Sequence, residues 1–281
     1  MKKLLLILLV FSSGIFAQTL SFEKCFGNFG NASSFDIDLN YNFYVVDIDS
    51  SVIIKLDSLG KVINSIGGYG WEESTFDEPV DVFTNTLSVY VADKNNNRIQ
   101  HFDKDLNFLS QYIGTDENNN NVEFNYPTCV AISAIGDLFI LDSDNSRILK
   151  FDLGGEYILE LGGNDAGEFS IDNPKYFATD NHGNIYVLDD NFIKVFDQYG
   201  NGLLKFNPVI SADKINIANN FLLLNNKNEI AMYDLKNNRL ILKTNPIQNV
   251  EHNDVMVKSE LHGNTLYILT QKKIYKYKIQ F

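Results

Sequence analysis

Apolar residues along this chain come in short runs that close on Asp and are separated by polar Asn/Gly turns. Four segments align with almost no gaps: Tyr44–Asp47 with Ile54–Asp57, Tyr90–Asp93 with Gln100–Asp103, Phe139–Asp142 with Leu149–Asp152, and Tyr186–Asp189 with Lys194–Asp197. Two degenerate copies follow, Leu222–Asn225 with Ala231–Asp234 and Tyr267–Thr270 with Tyr275–Tyr277. The unit returns every ~37–49 residues, and a period in that range built of several short strands predicts a β-propeller.

Each unit reads as four strands. An inner strand (Phe35–Asp38, Val80–Phe83, Cys129–Ile132, Tyr176–Thr179) precedes a short turn. The second strand is continuously apolar, as expected where both faces are covered. Polar turns lead to the third and fourth strands, with Gly60, Gly154–Gly155 and Gly200 before the last. The expectation is an all-β, six-bladed propeller with blades near 33–68, 79–114, 127–163, 174–206, 212–245 and 251–281. The sixth unit holds three strands. The orphan Leu20–Gly27 resembles the fourth strand Val62–Gly68, so segment 18–27 is expected to complete the last blade and remove two exposed sheet edges.

Residues 1–17 stand apart. Lys2 and Lys3, an apolar run from Leu4 to Phe11 and small residues up to Ala17 read as an export signal. The apolar run is too short for a bilayer core of ~30 Å. The remainder, 18–281, is expected to be one exported, monomeric propeller, periplasmic or secreted. The chain carries a net charge of −13, and losing Lys2 and Lys3 makes it two units more negative. Such a surface repels phosphate backbones and anionic membranes, so neutral or basic partners fit best. Cys25 and Cys129 fall far apart in a ring and read as two small buried residues, not a disulfide.

The second and third units resemble the NHL-repeat family. The second has Phe76, Pro79, Val82, Val89–Asp93, Asn96–Gln100 and Phe102–Asp103; the third has Phe124, Pro127, Val130, Leu138–Asp142, Ser146–Leu149 and Phe151–Asp152. The resemblance implies the propeller fold. Its functional implications are broad, since the family includes lyases, sensor domains and adaptors. Its zinc-dependent lyases gather several His at the channel mouth; His101, His182, His252 and His262 do not converge in a propeller, so that activity is not carried over.

The recurring Asp47, Asp93, Asp142 and Asp189 read as structural turn caps, with Arg98 and Arg147 placed to pair with the second and third. Asp142–Ser146 and Asp93–Asn97 imitate the start of a calcium loop but lack its sixth-position Gly and twelfth-position Glu. Asp36, Asp81, Glu78, Asn173 and Asn216 fall near the axial ends of inner strands. They support the alternative of a metal-dependent, lactonase-like hydrolase with an axial divalent cation. No metal or cofactor motif backs it.

The unrepeated residues fall in the fourth-to-first loops: Tyr69, Trp71, Glu72, Glu73, Asp116, Glu117, Tyr126, Asp165 and Glu168. These loops share a face with the turns holding Asp49, Asp144 and Asp190. Aromatics beside carboxylates suit a cationic or sugar ligand. The reading is a non-enzymatic binding or scaffold propeller that presents this acidic face to a protein or glycan partner.

Overall fold

The structure, a computed structural model, describes residues 19–114, 122–246 and 254–280. The expected export signal, Asp116, Glu117 and His252 lie outside them. The chain opens on β1 (Thr19–Phe26). Four-strand units follow in order: β2–β5 (Ala32–Ile37, Phe43–Asp47, Val52–Leu56, Val62–Gly67), β6–β9 (Pro79–Thr84, Ser88–Asp93, Arg98–Asp103, Phe108–Ile113) and β10–β13 (Pro127–Ile132, Leu138–Asp142, Arg147–Phe151, Tyr157–Leu161). After a 3₁₀ turn at Asn164–Phe169 come β14–β17 (Pro174–Thr179, Ile185–Asp189, Phe192–Phe196, Gly202–Phe206), β18–β21 (Lys214–Ala218, Phe221–Asn225, Ile230–Asp234, Arg239–Thr244) and β22–β24 (Met256–His262, Thr265–Thr270, Ile274–Gln280).

Among the described residues these make six four-stranded antiparallel blades of a propeller. The last sheet runs β1-β24-β23-β22, with Thr19 opposite Gln280 and Phe26 opposite Ile274. The second strands β3, β7, β11 and β23 are buried at every position, because a neighbouring blade covers each face. The core is therefore a set of wedges between blades. Tyr44, Val46 and Ile53 of the first blade pack on Val82, Val91 and Phe102 of the second. Phe43 meets Tyr267 of the last blade edge-on at 5.1 Å. Cys25 departs from the expected burial: its strand is outermost, so it is exposed, while Cys129 is buried, and both are free thiols.

In the first four blades the Asp that closes the third strand builds the turn after it. One Asp57 carboxylate oxygen accepts the N–H groups of Leu59 and Lys61, each at 2.9 Å. Asp103, Asp152 and Asp197 repeat that geometry. Gly60 completes its turn at φ 89°, and a Cβ there would meet the Phe26 ring at 2.5 Å.

The fifth blade departs from the expected alignment by one residue. In β3, Phe43 and Val45 pack back on the last blade and Tyr44 and Val46 forward on the second. In β19, Leu222 and Leu224 pack back and Leu223 forward. Leu222 thus takes the place of Phe43, and Asn226, not Asn225, takes that of the closing Asp. Asn226 Nδ2 donates to Ser211 O at 2.8 Å. Asn225 turns to the sixth blade, accepting from Ser259 N at 3.0 Å and donating to Val257 O at 3.1 Å. A one-residue slip moves every side chain to the other face. A run of three Leu hides the slip, since each suits either wedge.

Deleting residues 18–27 strips β24 of its partner strand and uncovers Tyr277, on which the Phe22 ring packs at 5.6 Å. The truncated protein is expected to aggregate or unfold. Wild-type size-exclusion and melting profiles would show that the last blade does not need this strand.

Candidate functional site

The loop face is built from below by buried polar side chains. Asp93 is fully buried and accepts from Arg98 Nε at 2.7 Å, Asn96 Nδ2 at 2.9 Å and Asp77 N at 2.8 Å. The Arg98 guanidinium goes on to the loop backbone. It donates to Trp71 O at 2.7 Å and to Glu72 O and Thr75 O at 3.0 Å each. Gln100 adds a bond to Thr75 O and receives Ser74 N. Phe76 anchors the loop in the core. Fixed this way, the loop holds Tyr69 and Trp71 at 73% and 71% exposure, with Glu72 and Glu73 also exposed beside them.

The next blade repeats the arrangement. Arg147 donates to Asp142 at 2.9 Å, Glu160 at 2.7 Å and Glu123 O at 2.8 Å, and Asn125 N donates to Asp142 at 3.0 Å. Tyr126 stands at φ 47° directly before Pro127, and Glu78 at φ 56° directly before Pro79. Left-handed backbone at a bulky residue costs of order 1–3 kcal/mol and persists only where surroundings impose it. Here Asn97 Oδ1 accepts Tyr126 N at 2.8 Å, Ser143 Oγ donates to Tyr126 O at 2.6 Å, and Lys94 pairs with Glu78 at 2.7 Å. The Tyr126 ring remains half exposed.

In the fourth blade Phe192 faces Asp189 where Arg98 faces Asp93. Lys194, two residues on, supplies the cation at 2.5 Å instead. In the first blade, where Val52 faces Asp47, the carboxylate takes Gly30 N at 2.5 Å and Asn31 N at 3.2 Å. All four recurring carboxylates therefore reach back to the loop that enters their own blade. Capping of the following turn is the smaller part, through Asn96 and Asn145. Asp165 and Glu168 lie on the Asn164–Phe169 turn, and Glu168 is exposed; the Asp165 side chain lies outside the described set.

A second polar cluster occupies the axis. On the pairing register the inner strands place Ser34, Asp81, Cys129, Tyr176, Lys214 and Lys258 at one level. Asp36, Phe83, Ala131, Ala178, Asn216 and Glu260 follow two residues on. The second level, with Tyr176 and Lys258 of the first, lines a cavity of about 70 Å³. Asp36, Asp81 and Asn216 are thus axial as expected, whereas Glu78 and Asn173 sit on the loop face, bound to Lys94 and Asp190. Lys258 and Glu260 escaped the sequence reading because the sixth blade has drifted from the repeat. Two charges at alternate positions of an inner strand are the signal that would have found them.

Lys258 Nζ fills the centre. It lies 3.0 Å from Glu260, 2.7 Å from Phe35 O and 4.0 Å from Asp81. Asp81 also accepts from Tyr176 OH at 2.5 Å, Ser34 Oγ at 2.6 Å and Val130 N at 3.1 Å. Asp36 accepts from Thr84 N at 2.5 Å and Ile37 N at 2.8 Å. Burial pushes the Glu260 and Asp36 carboxyls up against the pull of Lys258; neighbouring Asp36 adds to the rise at Glu260. Burial opposes the Lys258 charge, but Glu260, Asp81 and Asp36 outweigh it. Asn216 Oδ1 is buried without a partner. The described histidines sit apart: His101 stacks on Tyr90 at 4.3 Å, His262 lies against Tyr41, and His182 is exposed near Asp180. Among the described residues no three metal-ligating side chains gather.

The NHL repeat family matches residues 76–102 and 124–151. Protein brain tumor of Drosophila melanogaster is 32% identical over 145 residues, which is 50% of this chain and 13% of that protein. NHL repeat-containing protein 3 of Mus musculus is 25% identical over 122 residues, 39% of this chain and 35% of its own length. This chain thus spans only a minor part of the curated relatives it matches. Among solved structures, a catalytically inactive virginiamycin B lyase from Staphylococcus aureus with quinupristin superposes with a TM-score of 0.64 at 13% identity, covering 93% of this chain and 99% of that one. A streptogramin B lyase gives 0.63 at 12%, covering 94% and 98%. At that identity the likeness establishes the fold alone.

Arg98→Ala strands buried Asp93 and should cost about 3–5 kcal/mol. Arg147→Ala, more solvated, should cost about 1–3 kcal/mol. The Arg98 variant should also lower the anisotropy of Trp71, the sole Trp, under conditions where far-UV circular dichroism is unchanged. Unaltered anisotropy would mean the loop holds itself. At the axis, the raised carboxyls stabilise the fold fully below the ordinary carboxylate range, and that contribution is lost as pH rises through their folded values. The melting temperature of Glu260→Gln relative to wild type should therefore improve from pH 4.5 to 8. A pH-independent difference would contradict the raised values.

Proposed function

From the premise that the chain is a six-bladed β-propeller carrying NHL repeats, we propose that it is an exported, non-enzymatic binding propeller. Its fourth-to-first loop face captures a protein partner through a neutral or basic segment; a glycan is the second choice. Propellers built of NHL repeats are typical protein-binding scaffolds. The observation that carries the reading is the Arg98 clamp. It spends a buried guanidinium on three carbonyls of one loop, and the result is an exposed Tyr69–Trp71 pair beside Glu72 and Glu73. A rigid aromatic pair binds with little loss of conformational freedom, and adjacent carboxylates select a cationic contact.

The axis supports the enzyme reading less well. Lys258 brings its own positive charge to within 3.0 Å of Glu260 and 4.0 Å of Asp81, and Asp81 and Asp36 accept from neighbouring donors. Export rests on the pattern of Lys2 and Lys3, the apolar run from Leu4 to Phe11 and the small residues up to Ala17.

The test uses residues 18–281 and Lys/Arg-containing peptides, followed by isothermal titration calorimetry and by capture from the native envelope. Trp71→Ala and the pair Glu72→Gln with Glu73→Gln should each weaken binding tenfold or more, about 1.4 kcal/mol. Melting should stay near wild type, because solvated substitutions seldom exceed about 0.5 kcal/mol. Undiminished capture by both variants would move the working surface elsewhere. Selective binding of neutral oligosaccharides would replace the peptide with a glycan.

A further inference from the structure

We infer that the cleft between the fourth and fifth blades is a binding site for a primary alkylammonium group. The argument starts from a cross-strand pair. An aromatic of the second strand faces a nitrogen side chain of the third in four blades: Tyr44 faces Lys55, Tyr90 faces His101, Phe139 faces Lys150 and Tyr267 faces Lys276. In the fourth blade Tyr186 faces Val195.

The lysines show what such a position does. Lys55 Nζ lies 5.8 Å from the Tyr44 ring centre and crosses to the next blade, donating to Lys104 O at 2.7 Å and to Asp105 at 2.9 Å. Lys150 Nζ lies 5.7 Å from the Phe139 ring centre and donates to Gln198 O at 3.0 Å, with Asp137 at 2.8 Å. Each niche thus offers a ring face, the residue after the turn Asp of the next blade, and a nearby carboxylate.

At the fourth blade the ring and the residue after the turn Asp remain and the lysine does not; Lys236 and Asn184 stand where Asp105 and Asp137 would, and the carboxylate beside the ring is Asp180 instead. Tyr186 keeps its ring, and Asp180 of the same blade bonds its hydroxyl; burial and Asp180 push that phenol up to about 12. Leu235 follows Asp234 as Lys104 follows Asp103 and Gln198 follows Asp197, although its turn runs one residue longer. Val195 is too short to cross. What is left is a cavity of about 160 Å³, larger than the axial one, lined by Tyr186, Val195, Leu222, Tyr233 and Leu235 together with the polar pair Asp234 and Arg239.

Arg239 does not turn the site into one for anions. Its Nε lies 3.8 Å from Asp234, and its side chain is half exposed. The niche between the first and second blades already holds two ammonium groups, since Lys104 Nζ lies 4.9 Å from the same Tyr44 ring. A mostly apolar cleft that includes the Tyr186 ring fits a tetramethylene chain with a terminal ammonium, and ring–ammonium attraction strengthens with desolvation. Free alkylamines and lysine side chains share this chemistry.

The test titrates residues 18–281 with n-butylammonium, n-butanol and butyrate at one ionic strength, by saturation-transfer NMR and thermal shift. Butylammonium should bind saturably and raise the melting temperature, with butanol and butyrate at least tenfold weaker. Val195→Lys should abolish butylammonium binding by supplying its own ammonium. Should that variant not fold, the three-probe ranking on wild type decides alone. A preference for butyrate, equal binding of butanol, no saturable binding, or full binding to folded Val195→Lys overturns the inference. Nα-acetyl-lysinamide separates the sources: binding equal to butylammonium assigns a partner's lysine, and binding of butylammonium alone assigns a free amine.

Discussion

Every blade presents the open edge of its inner strand to the axis, and that edge carries backbone groups no fifth strand can satisfy. The ring answers with side chains that cross from one blade to the next. Asp36 takes Thr84 N, Asp81 takes Val130 N, Cys129 reaches Phe177 O and Lys175 reaches Ala212 O. Asn225 takes Ser259 N, and Lys258 reaches Phe35 O to join the last blade to the first. All six interfaces are bridged by a side chain of one blade meeting backbone of the next. Each blade depends on its neighbour for apolar cover and also for polar satisfaction, so a gain in one wedge is coupled to the next.

That dependence explains why the axis is rich in charge without offering an obvious place for chemistry. Removing one member of a buried network leaves its partner unsatisfied in a low dielectric. Asp81 serves Ser34, Tyr176 and Val130 at once, and Lys258 offsets the carboxylates around it. The same logic runs outward. Asp93 and Arg98 form a buried pair whose spare donors go to the loop above, and buried order passes to exposed side chains in one step.

The frame was legible in the sequence because its period is kept through the first four blades. The closing Asp of their third strands recurs because a turn needs its carboxylate at two N–H groups. Asp93 and Arg98 were legible as a pair through their spacing. What escaped lies where one function is served by another residue. Lys194 replaces an Arg from two positions away. Asn226 replaces the closing Asp behind a run of Leu that fits either face. Lys258 and Glu260 sit in the blade with the weakest repeat. The reach of Asp47, Asp93, Asp142 and Asp189 back to the preceding loop was hidden for another reason: the acceptor is periodic, but its backbone donors carry no sequence signature.

The acidity of the chain then divides by employment. Asp57, Asp103, Asp152 and Asp197 are held by turns, Asp47, Asp93, Asp142 and Asp189 by loops, and Asp36, Asp81 and Glu260 by the axis. Their charge is compensated locally by N–H groups and buried cations, and it projects little beyond a Debye length of about 8 Å. Asp49 and Asp190 are partly engaged by Asn31 and Asn173. On the loop face Glu72, Glu73, Asp144 and Glu168 remain exposed. The net charge of −13 is therefore a poor guide to where a cation would be drawn. The uncommitted carboxylates are the better one, and two of them directly follow the only Trp.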